Sequence, residues 1–263
     1  MFNQFPLFDS HFHIIDPHYP LVANNGFLPE AFTADDYLKR MKAYDLRGGA
    51  VVSGSFQAFD QGYLLAALKT LGKGFVGVTQ VPASITDEQL SQLDKGGIRA
   101  VRFNLKRGGS EDVKYLQYMA QRVFKLFGWH VELYIDALNL NELKTVIANL
   151  PAVSIDHLGL SKDGLPDIRY LLEQNIKLKA CGFGRVDFDV EKIISELYAI
   201  NPTSLMFGSD LPSTRAPRAY EDTDYVLVQK ALQDEHACMA VFSQNAQQFY
   251  TKDKTAPLDS SNG

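Results

Sequence analysis

Short apolar or β-branched runs recur along the chain at 5–15, 49–55, 75–81, 98–105, 130–136, 152–157, 176–180 and 205–209. Successive runs start about two dozen residues apart or more, which leaves room for a helix in every gap. The gaps themselves carry helical periodicity. Thr33 with Asp36 forms a capping-box pattern, followed by Tyr37, Leu38, Met41 and Tyr44 on one face. Thr86 with Gln89 opens a second helix, with Leu90 and Leu93 as its apolar stripe. Asn139 and Glu142 precede Leu143, Val146, Ile147 and Leu150, and Asp189 precedes Val190, Ile193, Ile194 and Leu197. These stripes are core-packing faces. Alternating strand and helix signals predict a parallel sheet, and eight such units close into an α/β (β/α)8 TIM-like barrel spanning 1–250 as one domain. A doubly wound open sheet would instead bring a Gly-rich phosphate turn after its first strand, where this chain has His11-Phe12-His13. From 251 to 263 the chain is polar and Pro/Ser-rich and reads as a flexible tail.

Composition narrows the class without naming a chemistry. Of 263 residues 46% are hydrophobic and 22% charged, enough for a large core. The formal charge of −5 argues against nucleic-acid binding, while a small anionic substrate needs only a few arginines at one spot. Cys181 and Cys238 form no close pair, and no basic leader or membrane-length apolar run is visible, so a cytoplasmic protein is expected. No exposed apolar stripe stands out, which leaves the oligomeric state open.

The chemistry-bearing residues gather at the ends of the predicted strands. His11 and His13, two apart in a strand, project to the same side. Two imidazoles on one face suit a divalent metal, or they can polarise a carbonyl and move a proton. His157 ends the sixth run and Asp210 the eighth, where Pro212 turns the chain out of the sheet. Barrel enzymes collect their catalytic groups at these strand ends.

Asp9-Ser10-His11-Phe12-His13, Asp156-His157-Leu158-Gly159 and Gly208-Ser209-Asp210-Leu211-Pro212 resemble the strand 1, 6 and 8 signatures of the amidohydrolase superfamily, the metal-dependent hydrolase type of barrel. More narrowly they resemble the branch holding the 2-pyrone-4,6-dicarboxylate hydrolases and related lactonases, as do Val101-Arg102-Phe103-Asn104 and Trp129-His130-Val131. The resemblance runs from about Phe8 to Tyr250. It implies a hydrolase that opens a lactone or pyrone ring ester of a small carboxylated substrate, with Asp210 as general base and His11, His13 and His157 polarising the carbonyl. Ser55, Arg102, Arg107, Tyr134 and Arg185 then become substrate-binding candidates, with Arg215 and Arg218 as weaker ones, because guanidinium forks pair carboxylates.

Several positions depart from the family pattern. Tyr134 stands where many metal-binding relatives carry a histidine, and no bridging lysine ends the fourth run, so metal-free chemistry is expected. The alternative keeps one Zn or Mn on His11, His13 and Asp210. Phe27 replaces a tyrosine common in relatives, and Ser213 lies in a Leu-Pro-Ser sequence where many have Trp-Pro-His. The competing readings are a metal-dependent decarboxylase of the same superfamily and a non-catalytic ligand-binding barrel.

Overall fold

A computed structural model describes residues 2–250 of the chain. The parallel strands β1 (Phe2–Phe12), β2 (Tyr44–Val52), β3 (Phe75–Thr79), β4 (Ile98–Asn104), β5 (His130–Tyr134), β6 (Val153–Ile155), β7 (Lys177–Ala180) and β8 (Leu205–Phe207) pair in sequence order. Helices α1 (Ala34–Arg40), α2 (Gly62–Leu71), α3 (Asp87–Lys95), α4 (Leu116–Phe127), α5 (Lys144–Ala148), α6 (Leu165–Glu173), α7 (Val190–Ile200) and α8 (Asp222–Leu232) follow them one for one. This is the (β/α)8 barrel that the spacing of apolar runs predicts. No ladder joins β8 to β1 among the described residues. The circle is fastened at its upper rim by two backbone bonds, Asp210 N to His11 O at 2.7 Å and His13 N to Leu211 O at 2.7 Å.

Local signals act as expected at three of the four helices singled out. Thr33 with Asp36 and Thr86 with Gln89 form complete capping boxes, and the Asp189 carboxylate accepts from Lys192 N. The stretch from Asn139 differs. There Asp136 caps a single tight turn at Ala137–Asn139, and the α-helix proper covers only Lys144–Ala148. The Asp136 carboxylate is tied at once to Leu138 N, Lys106 Nζ and Ser161 Oγ, which starts the helical path earlier and breaks it in two.

Two apolar layers hold the barrel. Outward-facing strand residues such as Leu7, Phe12, Val51, Phe103 and Leu133 pack against the helices. Inside, Phe8, Ala50, Val52, Val78 and Met206 form a smaller core, sealed from below by Ala246 and Tyr250 of α10 (Asn245–Tyr250), which follows α9 (Glu235–Met239) and a wide helical turn. No helix among the described residues is long and apolar enough to cross a membrane. The expected flexible tail lies outside the described residues.

Candidate active site

β1 changes face just before its functional residues. Leu7 and Phe12 both belong to the outer layer although one is odd-numbered and the other even, and the pairing with β2 shifts register between Asp9 and Phe12. That irregularity turns His11 and His13 inward together at the barrel's upper end. Asp9, at the shift, points outward and is fully buried. Its carboxylate accepts from His11 N at 3.2 Å, Ser209 N at 2.8 Å, Ser209 Oγ at 2.6 Å and Tyr37 OH at 3.1 Å. Burial raises its pKa to about 6 in spite of these donors. Asp9 thus ties β1 to the residue preceding Asp210.

The structure brings His11, His13, His157 and Asp210 together. The His11 ring centroid lies 5.1 Å from that of His13 and 4.8 Å from that of His157, and the Tyr134 ring stands 5.0 Å from His157. Asp210 Oδ1 lies 3.8 Å from both His11 Nε2 and His13 Nε2. Oδ1 and His11 Nε2 are buried with no hydrogen-bond partner, a condition that asks for a bridging atom. Burial lowers the pKa of all three histidines, helped at His13 and His157 by repulsion from His11, so the neutral rings prevail at neutral pH.

Neutral imidazoles need a defined tautomer, and at His13 the Nδ1 neighbour assigns it. His13 Nδ1 sits 2.7 Å from Val52 O, a pure acceptor, so Nδ1 carries the proton and Nε2 offers a lone pair. His157 Nδ1 lies 3.2 Å from Cys181 Sγ. Burial and the Asp210 and Asp156 carboxylates push that thiol's pKa well up, so it stays S–H and can donate to Nδ1, which would leave the His157 proton on Nε2. His11 Nδ1 stands between a donor, Lys179 Nζ at 3.4 Å, and an acceptor, Asp156 Oδ1 at 3.3 Å, so either of its tautomers finds a partner. Gly182, at φ 61°, follows Cys181 because a Cβ there would meet His157 Nδ1 at 2.6 Å and Asp210 Oδ2 at 3.1 Å.

Beneath the histidines lies a buried layer of charge that the sequence reading missed. Lys179 Nζ hydrogen-bonds Glu132 Oε2 and stands 3.6 Å from Asp156 Oδ1. Glu132 also meets His130 at 3.1 Å and accepts from Tyr250 OH, reaching down to α10. Burial alone would raise the Glu132 pKa; the Lys179 ammonium and the His130 hydrogen bond together outweigh it and hold the carboxyl below its usual range. The available signal was positional: Glu132 and Lys179 are charges in the middle of β5 and β7, fully buried on alternate positions from the apolar outer-facing residues.

His13, Ser55, Arg102, Arg107, Tyr134, His157 and Arg185, all expected in the site, line one space of about 30 Å³, room for a water or two. The arginines are used differently from expectation. Arg102 is buried and donates to Asp156 Oδ2 at 2.7 Å and Ser53 O at 2.6 Å. Arg185 donates to Asp210 Oδ2 at 2.7 Å and Thr214 O at 2.9 Å. Two of the three expected carboxylate forks are therefore engaged by the protein's own acids. Arg215 also enters the site, over the Phe27 ring, whereas Arg218 turns away to Asp224 at 2.7 Å. Ser213, where relatives differ, accepts from Tyr220 N at 3.0 Å and shapes the loop after β8. Outside lies a vestibule of about 300 Å³ that shares Arg107, Tyr134, Arg185 and Arg215 with the inner space.

The donor set fits a divalent metal. Ligand atoms of His11, His157 and Asp210 lie within 4.8 Å of one another, while His13 reaches this group through Asp210. A second group, His11, Glu132 and Asp156, encloses the Lys179 ammonium.

The sequence profile of the amidohydrolase family matches residues 8–252. A 2-pyrone-4,6-dicarboxylate hydrolase of Comamonas testosteroni is 35% identical over 157 residues, which cover 57% of this chain but only 51% of that protein's length. A 4-sulfomuconolactone hydrolase of Rhizobium radiobacter is 23% identical over 224 residues, 78% of this chain and 75% of that one. Among solved structures, a probable 2-pyrone-4,6-dicarboxylic acid hydrolase of Acinetobacter baumannii with citric acid bound superposes with a TM-score of 0.81 at 21% identity, covering 93% of this chain and 99% of that chain. An apo protein of Agrobacterium tumefaciens gives 0.83 at 18% identity, covering 95% and 97%. These last two likenesses bear on the fold alone. Fold, site motifs and a profile match over nearly the whole length agree: the chain belongs to the amidohydrolase family.

Proposed function

We propose that the protein hydrolyses the ring ester of a small carboxylated lactone. The observation that carries this reading is the unpartnered Asp210 Oδ1, 3.8 Å from both His11 Nε2 and His13 Nε2, behind the His13 ring that lines a space walled by guanidiniums. A water there donates one proton toward Asp210 Oδ1 and the other toward the His13 Nε2 lone pair. Asp210 removes a proton as the water oxygen attacks the lactone carbonyl. His11 and His157, in the tautomers that carry the proton on Nε2, stabilise the oxyanion, and Tyr134 adds a hydroxyl donor. When the ring C–O bond breaks, the proton held by Asp210 passes to the departing oxygen, leaving an acid and an alcohol or enol. The Arg185 guanidinium keeps Asp210 oriented throughout. The relatives named for lactone substrates support the same reaction class.

A metal-assisted form of the same hydrolysis has its own support in the His11, His157 and Asp210 group. A zinc or manganese ion held there would supply Lewis-acid polarisation of the carbonyl or a more acidic bound water. Asp156 Oδ1, 3.3 Å from His11 Nδ1, is placed to accept from Nδ1–H, the tautomer that would leave the Nε2 lone pair free to act as a ligand.

The test is a pyrone, muconate and sugar lactone panel assayed with and without chelator, on the native protein and Asp210→Asn. Turnover of a carboxylated member that survives chelation, and falls about 10²–10⁴-fold in the variant, is expected. Full activity in Asp210→Asn would remove Asp210 as the base. Loss of activity on chelation, with a stoichiometric metal in the untreated protein, would select the metal-assisted form. No turnover on any lactone would favour a ligand-binding barrel.

A further inference from the structure

Arg215 occupies the mouth of this site with no part in the chemistry just described. It lies in the loop after β8, where Ser213 and Arg215 are held at φ 64° and 59°, a left-handed conformation uncommon for side-chain-bearing residues. Its guanidinium donates to Ser55 Oγ at 2.9 Å and Asn24 Oδ1 at 2.9 Å, and lies 4.5 Å from the centroid of the Phe27 ring. Both acceptors are neutral. Of the nearby carboxylates, Asp210 is taken by Arg185, Asp156 by Arg102, Asp136 by Lys106 and Asp224 by Arg218, while Asp187, on the vestibule wall, accepts from Lys162 N. Arg107 and Arg185 crowd Arg215 with like charge. The side chain also forms a wall common to the inner space of about 30 Å³ and the vestibule of about 300 Å³. A lactone ring fits the second volume and not the first, so Arg215 or its neighbours must move before the ester meets Asp210.

We propose that Arg215 is an anion-reading latch that determines specificity: it rests on Ser55 and Asn24 with the mouth shut, and a substrate carboxylate remote from the ester draws it off them and opens the way to Asp210. The inference rests on the lactone-hydrolase reading above. Exchange favours an anion, because a carboxylate adds attraction between opposite charges and a two-bond fork that the neutral acceptors of Ser55 and Asn24 do not offer. A neutral lactone offers nothing to exchange and meets a closed mouth. Phe27 gives the guanidinium a surface to pivot on, since its cation–π contact needs no fixed hydrogen-bond direction. Arginine suits the task better than lysine, because its planar fork grips both carboxylate oxygens.

Two readouts test the latch. Calorimetry would follow isophthalate, a ring with two carboxylates and no hydrolysable ester, and its neutral diamide, binding to the native protein, Arg215→Gln and Arg215→Lys. Isophthalate affinity is expected to fall about 10- to 100-fold in Arg215→Gln and to be partly restored in Arg215→Lys, with the native protein preferring isophthalate to the diamide. In the assay, the ratio of kcat/KM for a carboxylated lactone to that for its carboxamide is expected to collapse by a similar factor in Arg215→Gln. Equal isophthalate binding by native protein and Arg215→Gln overturns the latch, and so does an equal loss of kcat/KM on both lactones. If isophthalate binding depends on Arg215 while the native protein opens no lactone, the latch stands and the hydrolase reading is what fails.

Discussion

The Cys181 thiol is the smallest feature on which the proposed chemistry depends. It lies 3.2 Å from His157 Nδ1, and an S–H donated there sets whether His157 presents N–H or a lone pair to the carbonyl. Cys181→Ala removes that bias, so kcat should fall about tenfold with KM nearly unchanged, while Cys181→Ser, which keeps a donor, should recover most of the loss. The ¹⁵N shifts of the His157 ring would report the tautomer directly. An Ala variant with native kcat, or native ring shifts, would end this account. At this scale the sequence was most informative where chemistry follows from strand geometry: His11 and His13, His157 and Asp210 meet as their spacing predicts. It was silent on Arg185 with Asp210 and on Arg102 with Asp156, because those pairs join different strands or strand-end loops, and nothing local to either residue encodes the partner.

Among elements, the β1–β8 junction sets the site most directly, and Asp9 is its brace. Asp9→Ala would leave His11 N and Ser209 N without acceptors in a fully buried place, at about 1–3 kcal/mol each. Urea denaturation should register a loss of about 2–5 kcal/mol, and turnover should drop because Asp210 is next to Ser209. Asp9→Asn keeps an acceptor oxygen and should lose distinctly less; equal losses in the two variants would contradict the brace. The eight strands were legible because buried parallel strands are continuous apolar runs. The face change in β1 was not, since a register shift leaves the composition of the run unaltered. Nor was the division of the helix after β5, where Asp136 prefers Lys106 and Ser161, partners distant in sequence.

The whole barrel keeps an ionic interior under an apolar coat, and acidification should expose the cost. His11, His13, His130 and His157 are buried with pKa values lowered by desolvation. A group depressed on folding contributes stability that is complete above its unfolded value of about 6.5 and is lost as pH falls toward its folded one. Asp9, raised to about 6, works in the opposite sense, favouring the fold as pH drops through that value. Four groups against one give the histidines the decision, so the urea midpoint should fall steadily from pH 7 to pH 5. A midpoint flat or rising over that interval would contradict the neutral-histidine interior.

The two backbone bonds that fasten the circle belong to His11, His13, Asp210 and Leu211 themselves. During synthesis, the residues from β1 to β7 can pair and pack while the ribosome still holds the last quarter of the chain. Until Leu211 emerges, neither the proposed base Asp210 nor a fixed pair of imidazoles is in place. A nascent or truncated chain can therefore be largely folded and wholly inert, and the first turnover would announce that the ring has shut.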